Sequence, residues 1–465
     1  MAQNTKNLIG LVGIPLVMVL GNSMLIPVLP TMKAKLQLTG LQTSLVITAF
    51  SIAAGVVIPL AGYLSDRFGR KIVVTLSLIL YGAGGLLAGL AALWLDKPYG
   101  IIMTGRVLQG IGAAGTAPIA LAMVGDLFNG AAESRALGLM ETSNGLGKVL
   151  SPIIGALLAM ITWYMVFLAF PIICGVIVLL FLFCTRENKQ EKQPVQVGQY
   201  LRSIGQVFRQ HGRWLVPAFF IGSICLFTLF GVLFYLSDLL EETFKIDGVL
   251  KGGFLAIPLL VMSIVAYLTG LIIKKKLRLM RLFVIVGMFL LAASYVIASF
   301  VQGVYLLIGV LVIGSVGTGM ILPCLNSMIV GAVKKAERGM ITSLYSGVRF
   351  IGVAVGPPVF TWLLGISRNV MFYSIAGITA LFAVVALFFL KPQQAASQEA
   401  SGQQAKAEDK QEKDMEAMRQ AAEILGIQAE SEEERQRAEA VRRMGFDPND
   451  LVNHLLSGKK EKGKS

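Results

Sequence analysis

Long apolar stretches separated by short polar ones fill the first 390 residues. A helix needs about 20 apolar residues to cross roughly 30 Å of hydrocarbon. Stretches of that length run over residues 8–29, 43–63, 72–95, 100–125, 136–159 and 163–184, and again over 214–237, 253–273, 282–301, 303–330, 340–364 and 370–390. They predict twelve membrane-spanning helices, numbered here as spans 1 to 12, in an all-α membrane protein. The expected organisation is a six-helix bundle over 1–185, a linker over 186–213, a second six-helix bundle over 214–391 and a polar tail over 392–465. In the linker, Tyr200, Ile204, Val207 and Phe208 recur at helical spacing opposite Arg202 and Arg209. That pattern predicts an amphipathic helix along the inner leaflet of the bilayer. The tail has helical spacing in "DMEAMRQAAEILG" and "AEAVRRMGFDPNDLVNHLL"; it reads equally as short helices that dock on the bundle, a lipid surface or a cytoplasmic partner, or as a solvated segment.

Composition strengthens this picture. Of 465 residues, 55% are hydrophobic and 15% charged, with mean hydropathy +0.71, which leaves little room for a folded soluble domain. The formal net charge of +14 would suit nucleic acid, but its placement argues against that partner. Arg67, Arg70 and Lys71 lie in the 2–3 loop, Lys274, Lys275, Lys276, Arg278 and Arg281 in the 8–9 loop, and Lys334, Lys335 and Arg338 in the 10–11 loop, whereas the 3–4 and 11–12 loops offer Lys97 and Arg368. Positive residues favour cytoplasmic loops. Both termini are therefore expected in the cytoplasm of a cell with a plasma or bacterial inner membrane. Span 1, preceded by "MAQNTK", is too long for the apolar region of a cleaved signal and is expected to persist. Cys174, Cys184, Cys225 and Cys324 fall in apolar runs without CxxC spacing, and His211 and His454 are far apart. The sequence predicts no metal site, disulfide framework or other cofactor.

The two bundles repeat. Pro118 and Pro323, Gly147 and Gly352, and Pro152 and Pro357 are each 205 residues apart. Spans 4 and 5 thus match spans 10 and 11, a duplication that places a substrate site between the halves near the midplane in known transporters.

Four stretches carry candidate chemistry. "GYLSDRFGRK" puts Gly62, Asp66, Arg67, Gly69, Arg70 and Lys71 in the 2–3 loop, "RVLQGIGAAG" puts Arg106, Gln109 and Gly110 in span 4, and "GKVLSPIIGA" puts Gly147, Ser151, Pro152 and Gly155 in span 5. "GVAVGPP" repeats part of the third as Gly352, Gly356 and Pro357 in span 11. The first is similar to the cytoplasmic signature of the major facilitator superfamily. The second resembles that superfamily's Arg-x-x-Gln-Gly pattern. The third resembles the signature of bacterial twelve-helix drug:proton antiporters, with Ser151 and Ala156 where that signature has glycines. The resemblance covers residues 1 to about 391. It implies that Asp66 caps the N-terminal end of span 11, where an acid meets the positive end of the helix dipole. It also implies that Arg70 pairs with Asp126 as a latch between the halves; the bland alternative is that the loop cations set topology alone.

"GIGAAG" in span 4 fits GxGxxG literally, but the dinucleotide motif needs a strand before it and a helix opening after it. Gly110, Gly112 and Gly115 instead lie inside an apolar helix, where glycines let helices approach closely.

Charges within spans are expensive and mark function by default. Arg106, Glu141, Lys148 and Arg349 are the candidates. Glu141, Asn144, Lys148 and Ser151 form a stripe on span 5, and Thr342, Tyr345, Ser346 and Arg349 form one on span 11. The stripes either satisfy each other and nearby backbone or line a cavity from both halves. Met24, Met140 and Met320 are core or lipid-facing residues, or line an adaptable pocket. Asn22 stands where related transporters often carry an acid, so Glu141 becomes the main proton-carrier candidate. Two central cations suit anionic or zwitterionic substrates.

The expected activity is export of drug-like or amphipathic small molecules by proton antiport, in the manner of multidrug resistance transporters. A specific anionic metabolite, siderophore or lipid-linked glycan is the alternative cargo. A membrane sensor signalling through the tail is the reading from a different class. An enzyme would need a nucleophile or metal set that the spans do not offer.

Overall fold

The computed structural model describes residues 2–128, 130–185, 197–273, 276–333 and 337–390. Twelve helices among them are long and apolar enough to cross a membrane. They are span 1 (Thr5–Leu36), span 2 (Gly40–Phe68), span 3 (Arg70–Trp94), span 4 (Tyr99–Leu127), span 5 (Arg135–Ile161) and span 6 (Met165–Cys184), then span 7 (Arg202–Glu242), span 8 (Gly248–Ile273), span 9 (Leu277–Phe300), span 10 (Val304–Ala332), span 11 (Arg338–Ile366) and span 12 (Arg368–Phe389). Each coincides with an apolar stretch of the sequence and most run several residues further, because the helix continues past the hydrocarbon-length core into its polar flanks. Lys274, Lys275, Lys334, Lys335 and the tail from 391 onward lie outside the described residues.

Span 3 packs on spans 4 and 6, and span 9 on spans 10 and 12, so the two halves repeat one arrangement. The halves meet where span 2 lies against span 11 and span 5 against span 8. Small residues set these contacts: a Cβ on Gly55 would come within 2.9 Å of the Gly347 carbonyl oxygen, and a Cβ on Gly347 within 2.6 Å of that of Gly55. Without a hydrophobic force between helices in lipid, such close backbone approach supplies the packing. Apolar residues such as Val56, Leu76, Val176, Leu271 and Phe388 stay exposed on the outer faces, as side chains facing lipid do.

The linker and span 7 form one helix, Val197–Glu242, in place of two separate ones. It is bent. Phe208 and Phe219 have ring centroids 5.8 Å apart, whereas eleven residues of straight helix advance about 16 Å. Pro217 and Gly212 between them are the cause, since proline cannot donate the backbone bond of its turn. At the head of this helix the Tyr200 ring meets Tyr63 of span 2 edge-on, with centroids 5.3 Å apart. Burial, reinforced by the nearby Asp66 carboxylate, pushes the Tyr200 phenol up to about 12, so it keeps its proton.

Candidate functional site

Four groups of polar residues lie in or at the ends of the bundle. The first surrounds the 2–3 loop. Gly69 has φ +99°, a backbone conformation that side-chain-bearing residues rarely adopt, and it turns the chain between a helix ending at Phe68 and one starting at Arg70. The turn brings Arg70 Nε to 2.8 Å from Asp126 Oδ2, at the end of span 4, and Arg70 Nη2 to 3.6 Å from Asp66 Oδ1. All three residues belong to the first half, so the pair braces that half internally. Gly62 makes a contact with the second half: its added Cβ would stand 3.0 Å from Ser343 Oγ in span 11. Lys71 Nζ donates to the carbonyls of Leu182 (3.0 Å) and Thr185 (2.6 Å), where a cation meets the negative end of span 6. Arg281 of span 9 does the same to Leu387 of span 12 at 2.6 Å. Arg67 stays exposed and lies over the Phe68 ring.

The second group is centred on Arg106, which is fully buried. Its Nε donates to the Val46 carbonyl (3.0 Å), its Nη1 to the Gly21 carbonyl (3.0 Å) and Gln109 Oε1 (2.7 Å), and its Nη2 to Asn22 Oδ1 (2.6 Å). The guanidinium carbon sits 4.5 Å from the Phe50 ring centroid. Asn22 Nδ2 then donates to Ser51 Oγ at 2.8 Å. Spans 1, 2 and 4 are thereby tied at one cation. Gly110 packs on span 2, where an added Cβ would reach 2.2 Å from the Phe50 carbonyl, and Gly112 packs on span 3, 2.5 Å from the Tyr81 amide nitrogen. The glycine run is a packing surface.

The third group lies between the halves. Lys148 of span 5 and Arg349 of span 11 are intramembrane cations, one from each half, and Glu141 lies two turns from Lys148 on the same stripe. The Arg349 guanidinium carbon is 5.3 Å from the Tyr345 ring centroid, and Arg349 Nε and Tyr345 Oη are buried without a hydrogen-bond partner among the described residues. Asn144 is half-buried and Glu141 exposed on the same stripe. Met24 and Met140 are fully buried core. The signature glycines position these stripes. An added Cβ on Gly155 would stand 2.0 Å from the Met24 carbonyl oxygen and one on Gly147 3.3 Å from Leu16 Cα, so span 5 lies against span 1. Gly352 and Gly356 repeat this against span 7, at 2.2 Å from the Ser223 and 2.4 Å from the Phe227 carbonyl oxygens. Ser151 is buried and donates to the Gly147 carbonyl at 2.5 Å. Pro152 and Pro357 lie inside the helices of spans 5 and 11.

The fourth group was not anticipated from the sequence, because its residues sit at span ends where charge looks like ordinary flanking charge. Span 1 is broken: a helix ends at Ser23, a 3₁₀ turn covers Ile26–Val28 and a short helix covers Leu29–Leu36. Pro27 and Pro30 cause the break, since neither supplies an N–H to the turn before it. Ser237 of span 7 donates to the Ile26 carbonyl at 2.7 Å, and Lys251 of span 8, fully buried, donates to the Pro27 carbonyl and to Glu241 Oε2. Thr31 Oγ1 donates to Glu241 Oε1 at 3.1 Å. Lys33 Nζ lies 2.7 Å from Glu242 Oε1 and 3.5 Å from Asp238 Oδ2.

Comparison with known proteins fits this geometry. The chain is 46% identical over 387 residues to the "Bacillibactin exporter" of Bacillus subtilis (strain 168), covering 83% of this chain and 95% of the relative. It is 26% identical over 369 residues to "Multidrug resistance protein 1" of the same organism, covering 76% and 88%. Among solved structures, a bacterial homologue of the human lysosomal transporter Spinster superposes with a TM-score of 0.67 at 15% identity, covering 83% of this chain and 96% of that one. The family profile described as Major Facilitator Superfamily matches residues 11–287 and 278–427. With twelve spans in two similar halves and a profile match over most of its length, the chain belongs to the Major Facilitator Superfamily of membrane transporters.

Proposed function

We propose that this protein is a secondary active exporter that carries an anionic amphipathic small molecule of the siderophore class outward in exchange for protons. The observations that carry the reading are Lys148 and Arg349, one intramembrane cation from each half, and the buried Arg349 Nε and Tyr345 Oη that have no hydrogen-bond partner among the described residues. Cations inside a membrane bundle are costly and are retained where a ligand of opposite charge offsets them. The unpartnered Arg349 Nε and Tyr345 Oη add donors to the same neighbourhood. The similarity to the "Bacillibactin exporter" supports the same substrate class. Both termini face the cytoplasm in this reading, from the cations of the 2–3, 8–9 and 10–11 loops. The Arg70–Asp126 pair steadies the cytoplasmic end, where Asp66 stabilises the start of span 11 and the contact with the second half is made and broken in each cycle. Glu141 holds the exchanged proton. The residues group as a first bundle over 1–185 and a second over 214–391, joined by the linker.

Export of drug-like molecules is the second reading, favoured by the span 5 segment "GKVLSPIIGA". Reconstituted protein in proteoliposomes separates the two. Anionic siderophores are expected to be carried, and Lys148→Ala and Arg349→Ala to change which substrates are accepted more than how much protein is made. Transport confined to lipophilic cations would overturn the first reading in favour of the second.

A further inference from the structure

At the end of the bundle opposite the 2–3 loop, a set of polar links from span 1 crosses to the other half. Thr31 and Lys33 reach Glu241, Glu242 and Asp238 of span 7, while Ser237 and Lys251 reach back to the Ile26 and Pro27 carbonyls of span 1. We propose that this cluster is the outer gate of transport, with Lys251 as its keystone and Glu241 as the counter-charge that keeps it shut. The word outer rests on the orientation proposed above; the gate itself does not.

The cluster is placed where a gate must be. Any substrate leaving a site between the halves has to part span 1 from spans 7 and 8. The prolines of span 1 leave carbonyls accessible at this level, and span 8 inserts its ammonium there. Lys251 is fully buried, whereas Glu241 is partly exposed, with 22% side-chain accessibility. The lysine therefore depends on the carboxylate for charge balance, and the carboxylate has water as an alternative. A buried pair of this kind contributes little net stability but is strongly destabilising when one partner is removed. Closed, the gate buries a compensated cation. With Glu241 neutral, the closed form buries an uncompensated one, and opening relieves it by admitting water. The charged groups of the cluster are Lys251 from span 8, Lys33 from span 1, and Asp238, Glu241 and Glu242 from span 7.

The test reads the separation of the two halves by spin labels at Trp94→Cys, the end of span 3, and Tyr305→Cys, the start of span 10. Both native side chains are exposed and far in sequence from the cluster. Cys174, Cys184, Cys225 and Cys324 are replaced by alanine, and the protein is reconstituted in lipid nanodiscs. Glu241→Gln is expected to raise the ratio of open to closed distances by about tenfold or more. Adding Lys251→Met to Glu241→Gln removes the uncompensated cation and is expected to return the distribution most of the way to that of the parent. A purely structural pair would show no such reversal. Lys33→Gln, at a more exposed position, is expected to widen the distribution in the same direction by a smaller factor and covers the case in which Glu241→Gln does not fold. Unchanged distances in both single variants overturn the gate. A double variant as open as Glu241→Gln overturns the keystone role of Lys251.

Discussion

Arg106 Nη2 donates to Asn22 Oδ1 at 2.6 Å, so Asn22 of span 1 is an acceptor for a buried cation. A neutral amide serves there because three further acceptors, the Val46 and Gly21 carbonyls and Gln109 Oε1, share the guanidinium. Asn22→Leu is expected to lower stability by about 1–3 kcal/mol, the cost of leaving a buried donor unmade. Thr142→Ala, on an exposed position, is expected to change it little. Thermal unfolding of the purified protein followed by tryptophan fluorescence compares them; equal melting temperatures would remove the strut role from Arg106 and Asn22.

The glycines of span 5 lead to a steric prediction. A Cβ on Gly155 would stand 2.0 Å from the Met24 carbonyl oxygen, closer than such atoms can approach, while one on Gly175 meets nothing within 4 Å. Gly155→Ala should push span 5 away from span 1 and shift the two stripes apart. The expected result is reduced monodispersity in size-exclusion chromatography and lost transport for Gly155→Ala, with Gly175→Ala behaving as wild type. Wild-type transport by Gly155→Ala would show that span 5 has room the packing does not leave it.

The spans were legible because lipid demands about 20 apolar residues per crossing and tolerates few charges. The signature loop was legible because a charged decapeptide between apolar runs stands out, and the Arg70–Asp126 pair is present as the resemblance implied. Both residues lie in the first half, and Gly62 makes a contact that crosses to Ser343 of the second. The Lys251–Glu241 cluster was illegible for a different reason. Lys251 is three residues into span 8 and reads as interfacial charge. Its complete burial depends on the break in span 1, about 220 residues earlier in the chain and placed beside it only by the fold. The bend of the linker helix was hidden likewise, because Pro217 sits inside an apolar run that otherwise reads as unbroken helix.

Asp66 lies 3.6 Å from Arg70, which also holds Asp126. Asp66→Asn leaves the cations of the loop, and so the topology signal, unchanged. It removes the charge proposed to stabilise the start of span 11 and loosens the hold on Arg70. Normal amounts of membrane-inserted protein with strongly reduced turnover are expected, measured as initial transport rates normalised to protein. Turnover equal to wild type would restrict the loop to a topological role.

Glu141 carries the last prediction, which concerns energy coupling. An uphill exporter without a nucleotide-binding motif such as GxxxxGK[ST] draws on an ion gradient. A potential of 100 mV moves one charge with about 2.3 kcal/mol, enough for roughly a fiftyfold substrate gradient per net charge. Glu141 lies two turns from Lys148 on the same stripe of span 5. In the proposed exchange the carboxylate holds a proton in one orientation of the bundle and releases it when substrate binds in the other, so proton and substrate compete. In inside-out vesicles an imposed proton gradient should drive substrate accumulation and a protonophore should collapse it. Glu141→Gln should still bind substrate and carry it downhill while losing accumulation against a gradient. Accumulation by Glu141→Gln equal to wild type would move the proton to another carboxylate, and accumulation indifferent to the protonophore would remove proton antiport altogether.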